Sequence, residues 1–268
     1  MKILNYDNEA YGELIEKMHS ENCSCDMTLL DENDIPYLNP CDPNKIKVSD
    51  YYICYFDIMA YHCLIEKYGE NHFLKIIYAL MDVVSETLSD IKCHIFSDNI
   101  IFFSPISEND DLNNNRIVEI IKQAFLLQRN LMGQYRIILR GAITTGNLFY
   151  NGNFIYGNGL IKSYDMESKE AVYPRIIIDS DIIDNNKYVL DICKNWVSVD
   201  DDDRYFISYL SLQTGLVISL SYLNMHKEFV RGWLKQPLSD CVKKKYEWCK
   251  KYHNYICELY KLTSFIID

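Results

Sequence analysis

The sequence contains no run of 18 apolar residues and no basic, apolar leader that ends in small residues, so neither a membrane span nor a secretory signal is predicted. Basic residues are also few, because 27 Lys and Arg stand against 38 Asp and Glu and give a formal charge of −11. Binding to a nucleic-acid backbone requires clustered cations, so nucleic acid is not expected as the main partner. We expect a cytoplasmic protein.

Paired C-x-x-C motifs are absent, although the chain has ten Cys. Several of these Cys lie inside apolar stretches, which is typical of reduced, buried thiols and not of a disulfide framework. Among the cysteines, Cys23, Cys25 and Cys41 are the group to consider as a metal site. A single C-x-C lacks the spacing of structural zinc sites, so a structural zinc is not predicted.

The composition changes near residue 48. Residues 1–48 are polar and turn-rich, with three Pro between positions 36 and 43, and are predicted to form an N-terminal arm. Residues 49–268 are predicted to form one domain, with a sizeable core and a C-terminal packing helix.

The apolar patterns predict alternating strands and helices in the first part of this domain. A continuous apolar strand at 51–56 precedes a helix, a β-hairpin, a second helix and another strand, at 63–88, 91–103, 116–132 and 135–144. This is the β-α-β-β-α-β order of a ferredoxin-like palm in the α/β (α+β) class. Later elements are predicted as a hairpin, a short helix, a strand, shorter β segments and a helix, at 148–156, 157–171, 175–178, 196–219 and 237–263. The acidic run at 200–203 is predicted to be a solvated loop, and the last helix shows no chemistry.

Two aspartates lie where such a palm would bring them together. Asp57 ends the first strand, and Asp98 lies in the turn of the hairpin, which runs beside that strand in a palm. An Asp in either place alone is more often a cap or turn former. Their joint placement favours a site for Mg²⁺ or Mn²⁺, since these hard ions prefer oxygen ligands and two ions about 4 Å apart can catalyse phosphoryl transfer.

Three segments together resemble the catalytic domain of class III nucleotidyl cyclases: Phe-Asp-Ile at 56–58, Ile-Phe-Ser-Asp-Asn-Ile at 95–100, and Arg-Gly-Ala-Ile-Thr-Thr-Gly at 140–146. The similarity extends over about residues 50–180. Two further segments, at 157–167 and 173–179, resemble more closely the pyrimidine cyclases of the bacterial Pycsar antiphage system.

The resemblance implies roles for particular residues. It implies that Asp57 and Asp98 bind two metal ions, that the carbonyl of Ile58 is a further ligand, and that Arg140 contacts the substrate phosphates. Class III sites form between two catalytic domains, so it also implies a homodimer. A separate effector protein would read the cyclic nucleotide.

The chain departs from the purine cyclases at the positions that read ribose and base. Ile161 and Asp165 replace an Asn and an Arg on the helix after the glycines, and His94 and Phe154 replace a Lys and an acid that recognise the purine. Pyrimidine use is therefore favoured. The candidates for the base pocket are Tyr51, Lys92, His94 and Phe154, and the choice between uracil and cytosine stays open.

The expected reaction converts UTP or CTP into 3′,5′-cyclic UMP or cyclic CMP and pyrophosphate in antiphage defence. One alternative is a purine or dinucleotide cyclase on the same palm, although Ser97-Asp98-Asn99 stands where diguanylate cyclases have a Gly-Gly-acid turn. Another is a degenerate palm that binds a nucleotide and signals through partners. Loss of the Asn and Arg pair is compatible with this last reading.

Overall fold

The computed structural model describes residues 48–87, 91–152, 154–184, 186–211 and 220–268. The predicted arm therefore lies outside the described residues except for Val48, and so do Cys23, Cys25 and Cys41.

The domain contains eight strands and eight α-helices in the described ranges. In chain order these are β1 Ser49–Ile58, α1 Tyr61–Tyr68, α2 Glu70–Thr87, β2 Lys92–Phe96, β3 Asn99–Pro105, α3 Asp110–Asn130, β4 Leu139–Tyr150, β5 Ile155–Tyr156, α4 Asn158–Asp165, β6 Ile176–Ile178, α5 Ser180–Asp184, α6 Lys187–Cys193, β7 Val197–Val199, β8 Tyr205–Ile207, α7 Leu220–Leu234 and α8 Asp240–Leu259. Two π-helical turns, Leu131–Tyr135 and Met166–Glu170, follow α3 and α4, and a 3₁₀ turn at Thr263–Phe265 follows α8.

The sheet has the topology that the sequence predicts. Its order is β2-β3-β1-β4-β6-β8-β7, with β5 paired to β4, and β1 runs antiparallel to both β3 and β4. The first four strands with their helices form the ferredoxin-like β-α-β-β-α-β palm, so this prediction is confirmed. Strand β6 extends the sheet parallel to β4.

The central strand β1 is buried on both faces because helices cover one face and the β4–α4 region covers the other. Cys54, Phe56 and Ile58 pack into the large core with residues of α2 and α3. Ile53 and Tyr55 point to the opposite face, where they form a smaller cluster with Ile101, Phe103 and Leu148. Burial on both faces accounts for the continuous apolar run in the sequence.

Local chain geometry corrects three of the predicted boundaries. The helix predicted at 63–88 is two helices, since Gly69 adopts a φ of 78° between α1 and α2. Helix α3 begins at Asp110, and its N-cap is Asn109, whose side chain accepts a hydrogen bond from the Leu112 N–H at 2.9 Å. The strand predicted from Tyr135 begins only at Leu139, because a π-helical turn continues α3 up to Tyr135.

The C-terminal part contains a helix that the sequence analysis did not assign, α7. Only β7 and β8 form strands within the predicted β region at 196–219, and its last eight residues lie outside the described ranges. No helix of the described residues is both long and apolar enough to cross a membrane.

The loop at 200–203 is not merely solvated, as predicted, but is bound to a buried arginine. Arg175 is 1 % exposed and forms ion pairs with Asp200 and Asp202. The Trp248 indole N–H of α8 donates to the same Asp200 at 2.6 Å. Through these side-chain contacts, the loop links the residue before β6 to helix α8.

A chain of buried hydrogen bonds ties α7 and α8 to the C-terminal segment. The Nε2 atom of His253 donates to the carbonyl of Phe265 at 2.9 Å, since a carbonyl can only accept. The two Nδ1 atoms of His226 and His253 lie 3.0 Å apart, and the Tyr209 hydroxyl donates to His226 Nε2 at 3.0 Å. Burial lowers the pKa of both imidazoles, so both are neutral in this arrangement.

Two glycines let the backbone of α4 lie directly on β4. A Cβ atom on Gly146 would collide with the Gly159 backbone, and one on Gly159 would collide with the Ile53 side chain and the Gly146 backbone. Gly146 in β4 and Gly159 in α4 therefore determine how closely this helix approaches the sheet.

Replacing Gly159 by Ala should lower the free energy of unfolding by about 1–3 kcal/mol, because α4 must move away from β4 to accommodate the methyl group. Gly232→Ala in α7 is the matched control, since nothing lies within 4 Å of its added Cβ atom and the change favours a helix. Thermal unfolding of both variants checks this. Equal melting temperatures for the two variants would show that the packing of α4 against β4 does not require Gly159.

Candidate active site

The structure places Asp57 and Asp98 beside each other at one end of the palm. Asp57 is the penultimate residue of β1 and pairs in register with Asn99 of β3 and Arg140 of β4. The Ile58 N–H donates to the carbonyl of Asp98 at 2.9 Å, which closes the hairpin turn onto the end of β1. The predicted meeting of the two acids therefore occurs.

The turn that carries Asp98 is short and strained. Phe96 and Asn99 pair across it, and Ser97 adopts a left-handed φ of 56°. The Asn99 amide donates to Asp98 Oδ1 at 3.1 Å, and the Tyr55 hydroxyl donates to Asn99 Oδ1 at 2.6 Å. These contacts orient the Asp98 carboxylate. Sequence reasoning missed Tyr55 and Asn99, although Asn99 stands beside Asp98 in the hairpin motif.

Arg140 lies between two acids. Its Nη2 atom is 3.5 Å from Asp57 Oδ2 and forms a close ion pair with Glu167. Glu167 comes from the π-helical turn after α4, and its side chain is only 3 % exposed. Sequence reasoning missed Glu167, because nothing in the pattern shows that this turn faces the end of β1.

Negative charge is concentrated at this site. Burial raises the pKa of Asp57; the charge of Arg140 opposes this rise, and that of Asp98 adds to it. Burial also raises the pKa of Glu167, to about 7, against the effect of Arg140. Burial therefore disfavours the ionised form of both carboxylates even with Arg140 beside them.

The oxygen donors suit a hard divalent cation. The N–H and C=O groups of one strand residue point to the same side, so the Ile58 carbonyl is directed towards the Asp98 turn, as its N–H is. Two carboxylates and a carbonyl then face one region, and bound cations would offset the repulsion between the acids. In the described ranges, no three side chains of His, Cys, Asp or Glu are grouped to hold a metal ion, and the site itself offers two carboxylates.

The predicted base-pocket residues lie at different distances from the acids. Tyr51, Lys92 and His94 share the sheet face of Asp57. Measured along the strands, His94 lies two residues, about 7 Å, from the row that contains Asp57 and Asn99. Tyr51 lies six residues, about 20 Å, from the same row.

Three of these four candidates also have a packing contact. The Tyr51 ring packs edge-on against Phe103, with centroids 5.9 Å apart, and the His94 ring lies 5.4 Å from that of Tyr150. Lys92 is exposed, and Phe154 is exposed and lies 5.5 Å from the Phe149 ring.

A cleft of about 700 Å³ opens along α4 on the side of β6. Ile161 and Asp165, where the resemblance leads one to expect an Asn and an Arg, both line it. Asp165 forms an ion pair with Lys169 at 2.9 Å. Asp179 accepts hydrogen bonds from Lys162 at 2.6 Å and from the Thr144 hydroxyl at 2.7 Å, which together lower its pKa although burial acts in the opposite direction.

Comparison with known proteins returned matches only among solved structures; no family model and no curated protein matches the chain. The monomeric guanylyl cyclase domain of the RhoGC fusion protein from Blastocladiella emersonii is 14 % identical, with a TM-score of 0.40, over 60 % of this chain and 96 % of that one. The guanylate cyclase domain of RhGC from Catenaria anguillulae, solved with GTP, is 13 % identical, with a TM-score of 0.37, over 60 % and 97 %. A bacterial light-regulated adenylyl cyclase is 12 % identical, with a TM-score of 0.40, over 83 % and 68 %.

Proposed function

We propose that this protein is a nucleotidyl cyclase that converts UTP or CTP into the 3′,5′-cyclic monophosphate and pyrophosphate. The observation that supports this most strongly is the meeting of Asp57 and Asp98 at the end of the palm, next to Arg140. A carboxylate pair at such a place is what metal-assisted phosphoryl transfer requires.

The acids would hold two Mg²⁺ or Mn²⁺ ions, with the Ile58 carbonyl as a further ligand. Bound ions supply charge neutralisation at the phosphates and make the ribose 3′-hydroxyl easier to deprotonate. Asn99 and Tyr55 keep the Asp98 carboxylate in position, and Arg140 keeps a positive charge beside Asp57.

The reaction forms one phosphorus–oxygen bond and breaks another. The ribose 3′-oxygen attacks the α-phosphorus in line, the bond from that phosphorus to the oxygen shared with the β-phosphate breaks, and the hydroxyl proton passes to water. Arg140 stabilises the negative charge that develops on the phosphates. Glu167 holds the guanidinium of Arg140 in place through its ion pair, and no protein nucleophile is needed.

The pyrimidine assignment rests on the residues that could read a base. His94 and Phe154 stand at the two positions of purine recognition, and neither resembles the Lys and acid found there in purine cyclases. A purine would leave its hydrogen-bonding groups unmatched at such a site. A cyclic pyrimidine nucleotide would act as a signal in antiphage defence, read by a separate effector protein.

A homodimer is part of this proposal. Four large apolar side chains on β5, α4 and the loop before them are more than half exposed: Phe154, Tyr156, Ile161 and Tyr164. A second copy of the chain would cover this surface. Exposed apolar patches of this kind usually mark sites of interaction with another protein. Specific activity should therefore fall on dilution as the dimer dissociates, and constant specific activity at high dilution would rule the dimer out.

Competition among equal concentrations of ATP, GTP, CTP and UTP, with Mn²⁺ and mass spectrometry of the products, tests the base assignment directly. We expect one cyclic pyrimidine nucleotide to predominate. A cyclic purine nucleotide or a dinucleotide would move the protein to another class of cyclase.

A nucleotide sensor is the second candidate, and one observation favours it. Ile161 lies on the exposed face of α4, and Asp165 on the same helix is paired with Lys169. Neither position therefore supplies a cation that could stabilise a transition state. A sensor would bind a triphosphate with metal and release it unchanged. Binding without any product from the four triphosphates would support it.

A further inference from the structure

Helix α8 lies beyond the palm and carries a half-buried lysine next to a residue that packs against the end of β1. Lys245 is half-buried, whereas its neighbours Lys243 and Lys244 are exposed. The sequence predicts a packing helix without visible chemistry here, and its pattern does not single out Lys245.

Two aromatic anchors fix the segment that carries Lys245. Tyr246 lines a small pocket with Met59 and Ala60, the residues that follow Ile58 in the chain, and its ring stacks on Trp233 with centroids 4.9 Å apart. Trp248 stacks on Tyr173 at 6.1 Å between centroids and donates to Asp200. The helix is therefore seated where β1 ends, and Lys245 directly precedes the anchor residue Tyr246.

The positive charge of Lys245 affects the pKa of two carboxyl groups at the site, although its ammonium group forms no bond with either of them. Lys245 lowers the pKa of Asp57 and of Glu167, against the larger effect of burial. Within the part of the chain that the structure describes, Lys245 forms no hydrogen bond or ion pair. Its three N–H donors therefore have no acceptor among the described residues and can donate to an anionic ligand.

A triphosphate requires a cation of this kind. It brings several negative charges to a site that already contains Asp57, Asp98 and Glu167, and the charge of Arg140 is partly offset by its ion pair with Glu167. The whole chain is acidic, with a formal charge of −11, so general electrostatic attraction does not help. Local cations must attract the phosphates.

We propose that Lys245 binds the β- or γ-phosphate of the nucleoside triphosphate and so helps to hold pyrophosphate as it leaves. This inference rests on the proposed function, since it places the triphosphate at the Asp57 and Asp98 site. The residue comes from outside the palm, so the C-terminal helix completes the substrate site.

Titration calorimetry on the full chain with Mn²⁺ tests this role. The probes are 3′-deoxy-UTP and 3′-deoxy-CTP, which lack the hydroxyl needed for cyclisation, and UMP and CMP. Lys245→Met should weaken triphosphate binding about tenfold or more and leave monophosphate binding within about twofold, because the ammonium group contacts only the outer phosphates. Lys244→Met on the exposed side of the same helix is the matched control and should change neither.

The result that overturns the inference is equal triphosphate affinity in the Lys245→Met and Lys244→Met variants, or an equal loss for mono- and triphosphates. Mass spectrometry of wild-type reactions judges the cyclase proposal separately. If Lys245→Met selectively weakens triphosphate binding but the wild-type protein forms no cyclic product, the cyclase proposal fails and the phosphate role of Lys245 stands. If product forms and the Lys245→Met variant behaves like the control, only the role of Lys245 fails.

Discussion

Asp57→Asn is expected to reduce cyclic nucleotide synthesis by a factor of about 1000 or more without disturbing the fold. The amide keeps the shape of the side chain but offers one neutral acceptor oxygen in place of a carboxylate, so the site loses half of its acidic metal ligands. Product formation, measured by mass spectrometry at saturating triphosphate and Mn²⁺, checks this. Asp191→Asn on the exposed surface of α6 is the control and should be fully active.

The same substitution should not destabilise the metal-free protein. The pKa of Asp57 is raised, chiefly by burial, so its ionised form is disfavoured in the folded state and a neutral side chain removes that penalty. We expect the melting temperature of the variant to equal or exceed that of the wild type without metal, and Mn²⁺ to raise it only in the wild type. An inactive variant that also melts well below the wild type would indicate a structural role.

Arg175→Met should lower the free energy of unfolding by about 3 kcal/mol or more. The guanidinium is 1 % exposed and bridges Asp200 and Asp202. Removing it leaves Asp200, whose side chain is 12 % exposed, with only the Trp248 indole and the exposed Lys251 ammonium, 4.0 Å away, to balance its charge. Losing one member of a buried ion pair is far costlier than losing a surface pair. Urea unfolding at equilibrium measures the difference.

Arg204→Met provides the comparison on the same loop. Arg204 is 40 % exposed and pairs with Glu170 at 2.5 Å, so its loss should cost less than about 1 kcal/mol. If the two variants were equally stable, Arg175 would not anchor the loop to α8. Substrate affinity in Arg175→Met should also fall, because Trp248 shares Asp200 with Arg175 and helps to seat the helix that carries Lys245.

Hydrophobic pattern and turn chemistry were sufficient to predict the palm. The run at 51–56 is buried on both sides, and Ser97-Asp98 forms the tight turn that its composition indicates. Boundaries were wrong where a single residue decides them, as at Gly69 and Asn109. Helix α7 was missed altogether.

The positions of the two aspartates could be predicted because Asp57 stands at the end of β1 and Asp98 in the adjoining hairpin turn, where topology alone decides the neighbours. Glu167 and Lys245 could not, because both reach the site through the packing of segments that are distant in sequence. Asp200 and Asp202 looked like a solvated acidic run since their partner, Arg175, lies 25 and 27 residues away. Long-range charge pairing of this kind leaves no local pattern.

The most direct test of the central claim is to incubate the purified chain with UTP or CTP and Mn²⁺, and to measure cyclic nucleotide and pyrophosphate in parallel for the wild type and Asp98→Asn. The account predicts equal amounts of a 3′,5′-cyclic pyrimidine nucleotide and pyrophosphate from the wild type, and neither from Asp98→Asn or after addition of EDTA. Product that persists in EDTA or in the Asp98→Asn variant would contradict the assignment of the two aspartates as the metal-binding catalytic pair.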